Sequence, residues 1–134
     1  MRMELLYPRP THELRWVVTA LNGDYPANDV CVRCEALWDT GTSTTIFTKR
    51  LIDALGLRKL NIPPKDINHP LGGYKSSFYE AYIILHEGWE PIKLIVSEMP
   101  QPDIDVLIGM DIIGRGLFQV WPQDNHTVLR FELP

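Results

Sequence analysis

Frequent turn-forming residues divide the chain into short apolar segments, with eleven prolines and nine glycines among 134 residues. Proline interrupts helices and glycine favours turns, so this punctuation favours short strands over long helices. Several of the segments are rich in β-branched and aromatic residues, which is typical of strands. They are residues 14–21, 29–38, 77–86, 91–97, 117–121 and 127–133, the last two forming a hairpin.

Two segments have the features of short helices rather than strands. Residues 48–56 predict one helix, with Thr48 as its N-cap and Gly56 as its end. Residues 111–116 predict a helical turn capped by Asp111, whereas residues 58–77 show little periodicity and predict a long loop. The length suits one domain, residues 1–134, and the pattern indicates a mostly β domain with one or two short helices.

Charge and hydropathy exclude several classes of function. Thirteen basic against seventeen acidic residues give a net charge of −4, which is not the signature of a nucleic-acid-binding protein. The apolar runs are far too short to span a bilayer, and the first ten residues contain no apolar signal core. We therefore expect a cytoplasmic protein with neither nucleic-acid nor membrane partners.

Cys31 and Cys34 form a Cys-x-x-Cys motif within a strand-like segment. A zinc site needs a second pair of ligands, and the four histidines supply none at suitable spacing. A redox motif would lie at a helix N-terminus, which stabilises the thiolate. The favoured interpretation is two strand cysteines on opposite faces, with a zinc or redox module as the alternative. No metal and no cofactor are expected.

The segment with the most chemical information is Asp39-Thr40-Gly41, at the end of an apolar strand and followed by a run of hydroxyl side chains. Gly41 allows backbone amides to approach the carboxylate closely, and the hydroxyls of Thr40 and Thr42 are potential donors to it. Taken alone, the motif is equally that of an aspartate capping its own backbone at a strand-to-turn junction.

A second segment gives this motif its context. Residues 106–113 read Val-Leu-Ile-Gly-Met-Asp-Ile-Ile, two apolar residues and a glycine leading into a short helix. Together, the two ordered segments resemble the active-site segment and the second signature of retroviral-type (retropepsin-like) aspartic proteases, over residues 30–118. This resemblance implies a closed β-barrel of the acid protease fold, and cleavage of a peptide or protein substrate.

The resemblance also implies roles for individual residues. Asp39 matches the catalytic aspartate, Thr40 matches the residue that locks two active-site loops together, and Gly41 matches the glycine whose backbone contacts substrate. Thr42 occupies a variable position beside the substrate. The segment 70–74, which contains Gly72, Gly73 and Tyr74, lies where the family places its flap, a hairpin that closes over the substrate.

Two departures from the family pattern occur together. Viral members often have an Asp–Arg ion pair at the positions that Ser43 and Met110 occupy here. Because both partners are absent, no buried charge is left unpaired, so we do not interpret the change as inactivation. The departures favour a cellular or bacterial type of enzyme.

The number of motifs predicts the stoichiometry. Aspartic proteolysis uses two carboxylates that share a proton, and this chain contains a single Asp-[Ser/Thr]-Gly. The second aspartate should therefore be Asp39 of another copy, in a symmetric homodimer. Residues 14–21 and 127–133 are the candidate interface strands. The alternative is a non-catalytic domain of the same fold that serves for dimerisation or peptide binding.

Overall fold

Strands dominate the structure, a computed structural model that describes residues 1–8, 11, 13–63, 65–67, 74–100 and 103–134. Within these residues the chain forms eleven strands and two short helices. In chain order they are β1 (Arg2–Tyr7), β2 (Arg15–Asn22), β3 (Cys31–Trp38), β4 (Ile46–Thr48), α1 (Lys49–Leu55), β5 (Lys65–Ile67), β6 (Tyr74–Ser76), β7 (Phe78–Ile84), β8 (Ile92–Met99), β9 (Val106–Ile108), α2 (Met110–Ile113), β10 (Leu117–Gln123) and β11 (His126–Glu132).

Six strands close into a barrel in the order β2-β3-β9-β4-β8-β7. The parallel pairing of β3 with β9 is the feature that matters for the site, because it aligns Trp38 with Ile108. Parallel strands end at the same edge of a sheet, so the segments that follow β3 and β9 emerge side by side. The predicted mostly β barrel is thereby confirmed.

The two chain termini form a second, three-stranded sheet in the order β1-β11-β10. The predicted tail hairpin is present, and its turn at Asp124 and Asn125 has φ values of 47° and 61°, as a two-residue hairpin requires. Pro122 lies within β10, where it is tolerated because β10 is an edge strand of this sheet. The strand β1 was not predicted from the sequence.

The main apolar core includes side chains from the barrel strands, from both helices and from the inner face of the terminal sheet. Trp38, at the end of β3, packs against Phe118 of β10 and Phe131 of β11, with ring centroids 5.6 Å and 5.3 Å away. Phe131 is completely buried and Trp38 is 5% exposed. The bulky residue before Asp39 therefore joins the barrel to the terminal sheet.

Helix α1 matches its prediction. The Thr48 hydroxyl accepts a hydrogen bond from the Leu51 amide, and Gly56 ends the helix in the left-handed conformation with φ 64°. The predicted loop over residues 58–77 is wrong in part, because β5 and β6 within it pair as an antiparallel hairpin. Strands of three residues are too short to produce a recognisable alternation in the sequence.

The cysteines lie on opposite faces of β3, as predicted: Cys31 is exposed and Cys34 is buried. Burial raises the pKa of the Cys34 thiol to about 12. Over the described part of the chain, no group of three or more His, Cys, Asp or Glu side chains is placed to hold a metal ion. Among the same residues, no helix has the length and apolar character to cross a membrane.

Candidate active site

The Asp39-Thr40-Gly41 motif forms a tight turn at the edge of the barrel. The Asp39 amide donates to the carbonyl oxygen of Ile108 at 2.9 Å, which continues the β3–β9 ladder by one residue. The Gly41 amide then donates to Asp39 Oδ1 at 2.8 Å, as expected from the close approach that glycine permits. Asp39 is half-buried, whereas Thr40 and Gly41 are exposed. The turn thus presents a carboxylate at the surface of the chain.

Thr42 does not make the contact expected of it. The Thr42 side chain is almost fully buried, and its hydroxyl donates to the carbonyl oxygen of Thr44 at 2.9 Å. A threonine hydroxyl has one hydrogen, so the expectation that Thr42 donates to the Asp39 carboxylate is wrong. The hydroxyl stabilises the loop that follows the motif, which we call the active-site loop, residues 39–45.

Backbone hydrogen bonds connect the active-site loop to α2. The Met110 amide donates to the Thr42 carbonyl at 2.8 Å, and the Asp111 amide donates to the Ser43 carbonyl at 3.1 Å. Ser43 and Met110 are the two positions at which the family's ion pair is missing. Main-chain contacts therefore join the two segments at these two exposed positions.

Gly109 is required by the close approach of these two segments. A Cβ atom on Gly109 would lie 2.7 Å from the Thr44 carbonyl carbon, 2.8 Å from its oxygen and 3.0 Å from the Thr42 oxygen. All three are backbone atoms, which cannot move aside as a flexible side chain would. Only glycine fits beneath the loop in this arrangement.

Asp111 has a different role from the one predicted. Helix α2 begins after Gly109 and has no side-chain cap, so the interpretation of Asp111 as an N-cap is wrong. Its carboxylate instead accepts from the Thr45 amide at 2.9 Å and from the Thr45 hydroxyl at 2.7 Å. Nothing local in the sequence indicates this pairing, because its two residues belong to segments brought together only by the barrel.

The predicted flap is described in part. Strands β5 and β6 pair on either side of the segment 68–73, so Gly72 and Gly73 lie outside the described residues and Tyr74 begins β6. A hydrogen bond connects the base of this hairpin to β8: the amide of Glu98 in β8 donates to the hydroxyl of Ser76 in β6 at 2.7 Å. Ser76 was not singled out from the sequence.

A six-stranded barrel with an aspartate turn and a glycine element at one edge defines a known architecture. Comparison with solved structures identifies it as the retropepsin-like aspartic protease fold. The chain is similar to EIAV protease, solved with the inhibitor HBY-793, at a TM-score of 0.57 and 20% identity, over 76% of this chain and 86% of that one. No protein-family profile and no curated protein matches the sequence.

A bacterial structure shows the same fold over nearly the whole chain. It is a retropepsin-like aspartic protease from Rickettsia conorii, with a TM-score of 0.57 and 18% identity, covering 98% of this chain and 92% of that chain. The terminal strands are therefore included in the similarity. The family resemblance deduced from two sequence motifs is confirmed at the level of the fold.

Proposed function

We propose that the chain is an aspartic endopeptidase whose active site contains two copies of Asp39, one from each protomer of a homodimer. The geometry of the Asp39 turn is the observation that supports this most directly. The Gly41 amide donates a hydrogen bond to the Asp39 carboxylate and so fixes its orientation. The next two residues, Thr40 and Gly41, are exposed in a single chain. In a two-fold assembly these exposed residues would face their own copies across the axis.

The proposed reaction is direct attack by water on the scissile peptide bond. Two carboxylates about 3 Å apart hold one proton between them, since like charges at that distance are costly. The ionised Asp39 takes a proton from the water, and the protonated Asp39 of the other protomer donates a hydrogen bond to the scissile carbonyl oxygen. The tetrahedral intermediate then breaks its C–N bond as the Asp39 that took the proton from water gives it to the leaving amine, which returns that carboxylate to its ionised form.

The remaining residues have supporting roles in this proposal. Thr40 locks the two active-site loops together, and the Gly41 backbone contacts the substrate. We assign further substrate contacts to Thr42 and to the flap residues Gly72, Gly73 and Tyr74. Because Thr42 as a whole residue is 3% exposed and its carbonyl oxygen accepts from the Met110 amide, it would support the peptide-binding surface from beneath.

The terminal sheet is the surface we propose for the dimer contact. In this sheet β1 and β10 are the two outer strands. The other candidate, residues 14–21, corresponds to β2, which is paired with β3 on one edge and β7 on the other. The pairing with β7 covers only Thr19–Asn22 of β2. The first candidate, residues 127–133, corresponds to β11, which pairs with β1 on one edge and with β10 on the other. The proposed contact therefore uses the outer strands β1 and β10 of the terminal sheet, not β11 itself.

Cleavage of a peptide library by wild type and by Asp39→Asn tests the proposal. We expect the substitution to abolish cleavage while leaving the fold intact, and Asp29→Asn, an exposed aspartate outside the loop, serves as the matched control. Full activity in Asp39→Asn would refute the assignment. Peptide binding by the wild type without cleavage would instead favour the alternative, a dimerisation or peptide-binding domain.

A mixing experiment tests the shared site separately. If each site needs two copies of Asp39, adding an equal amount of the Asp39→Asn chain should lower activity to about half, since half of the wild-type chains then pair with a mutant chain. A chain that acted alone would keep its full activity in the mixture. Such a result would contradict the two-copy site, whatever the library shows.

A further inference from the structure

We propose that Asp111 is a positioning residue for the active-site loop, which it holds at its end through a carboxylate–threonine contact. This inference rests on the proposed function, because its consequence is the placement of Asp39. The observation that carries it is the number of hydrogen bonds that converge on a single buried residue, Thr45.

Every polar group of Thr45 has a partner. Its amide and its hydroxyl both donate to the Asp111 carboxylate, at 2.9 Å and 2.7 Å. The hydroxyl oxygen also accepts from the Gly109 amide at 3.1 Å, and the Thr45 carbonyl accepts from the Ser97 amide at 3.2 Å. Thr45 is completely buried, so these partners cannot be replaced by solvent. It therefore joins the active-site loop to α2 and to β8.

The carboxylate of Asp111 is suited to this contact because it has two acceptor oxygens on one short side chain. Its two oxygens accept from two donors of the same residue, and hydrogen bonds to an ionised acceptor are shorter and stronger than neutral ones. The Asp111 backbone is itself held, because its amide donates to Ser43 and its carbonyl accepts from Arg115 Nε at 2.9 Å. The Asp111 backbone is therefore held in place, and its carboxylate in turn fixes the position of Thr45 at the end of the active-site loop.

The expected consequence concerns the chemical step more than substrate affinity. Asp39 lies at the start of the loop and Thr45 at its end, so release of Thr45 changes the orientation of the carboxylate. Misplacement of a reacting group by about 1 Å costs on the order of 100-fold in rate. Asp111 does not touch the reacting atoms and is not a catalytic residue in this proposal.

The test compares Asp111→Ala and Asp111→Asn with Asp53→Ala, in which the exposed carboxylate on α1 is lost. For Asp111→Ala we expect kcat to fall by about 10- to 100-fold, with KM changed by less than about threefold. A transition-state mimic should bind more weakly by a similar factor. Asp111→Asn keeps one acceptor oxygen and should recover part of the rate, while Asp53→Ala stays at the wild-type rate.

A purely structural role for Asp111 would give another result. Activity would then fall only in proportion to the folded fraction, and the inhibition constant of the mimic for the folded enzyme would be unchanged. That outcome, or kcat within about twofold of wild type in both Asp111 variants, would overturn the proposal.

Thr45 supplies a second pair of variants in case Asp111→Ala does not fold. Thr45→Ser keeps the hydroxyl and should retain nearly the wild-type rate, whereas Thr45→Val removes it at the same size and should lower kcat. Equal rates in the two would contradict the role given to the hydroxyl.

Amide hydrogen exchange provides a readout that does not need activity. If the wild type shows no Asp39-dependent cleavage, the proposed function fails, but the contact remains testable. We expect faster exchange over residues 42–45 in Asp111→Asn than in wild type or Asp53→Ala. Unchanged exchange would refute the contact independently of any catalytic assay.

Discussion

Replacing Gly109 with alanine adds one methyl group at the point where the active-site loop and α2 approach most closely. The φ value of Gly109 is −93°, which alanine adopts readily, so the added methyl is the sole source of strain. That methyl would lie 2.7–3.0 Å from three backbone atoms of Thr42 and Thr44. Optimal contacts between such atoms are about 3.5–4.0 Å, so the loop must move outward by roughly 0.5–1 Å.

The size of the effect follows from three contributions. Overpacking of this kind costs about 1–3 kcal/mol. Movement of the loop also weakens the hydrogen bond from the Met110 amide to the Thr42 carbonyl, a net loss of about 1 kcal/mol. Alanine offsets about 0.4–1 kcal/mol of this by restricting the unfolded chain. We therefore expect Gly109→Ala to lower the free energy of unfolding by about 2 kcal/mol.

Urea denaturation measures this change directly, at a fixed protomer concentration because assembly would alter the apparent stability. Gly88→Ala is the control: Gly88 has φ 84° and no atom within 4 Å of an added Cβ, so its cost of about 1–2 kcal/mol arises from backbone conformation alone. Only Gly109→Ala should also reduce cleavage, because only it moves the loop. A Gly109→Ala protein with wild-type stability and wild-type activity would refute the steric reasoning.

Two further predictions concern the cysteines and the terminal sheet. At pH 8 a thiol reagent should modify Cys31 at once and Cys34 only after unfolding. Burial raises the pKa of the Cys34 thiol to about 12, so almost no reactive thiolate is present at that pH. Two fast-reacting thiols in the folded protein would contradict this prediction. On dilution, specific activity should fall while far-UV circular dichroism stays constant, because β1 and β10 both pair with β11 of the same chain. Loss of the dichroism signal in parallel with activity would show that folding depends on assembly.

The sequence predicted those features that depend on neighbouring residues. Helix α1 was recovered with both of its ends, because Thr48 and Gly56 act on the backbone within one turn. Strand β1 was missed, although Met3 and Leu5 alternate with charged residues. Its partner β11 lies at the opposite end of the chain, and burial of β1 depends on that pairing. Local patterns carry no information about a contact between the two termini.

In the candidate site, too, the features that depend on neighbouring residues were predicted correctly, and those that depend on distant segments were not. The motif around Asp39 and the glycine at position 109 were recognised from the sequence, yet the helix cap assigned to Asp111 and the donor role assigned to Thr42 were both wrong. Each error concerned a side chain whose partner depends on how two distant segments meet. A carboxylate beside a short helix is a plausible cap by local rules, and the Thr45 donors compete with that role only once the barrel has closed.

The parallel pairing of β3 with β9 explains why two separate sequence motifs behave as one unit. It places Trp38 opposite Ile108, so the next residues along each strand, Asp39 and Gly109, leave the barrel together. The loop after Asp39 is then stabilised mainly by residues after Gly109, through main-chain bonds and the Asp111 carboxylate. A charged pair at Ser43 and Met110, which are both exposed, becomes unnecessary once these contacts form. Loss of both family ion-pair residues is therefore compatible with an ordered loop, since other groups in the same two segments hold it.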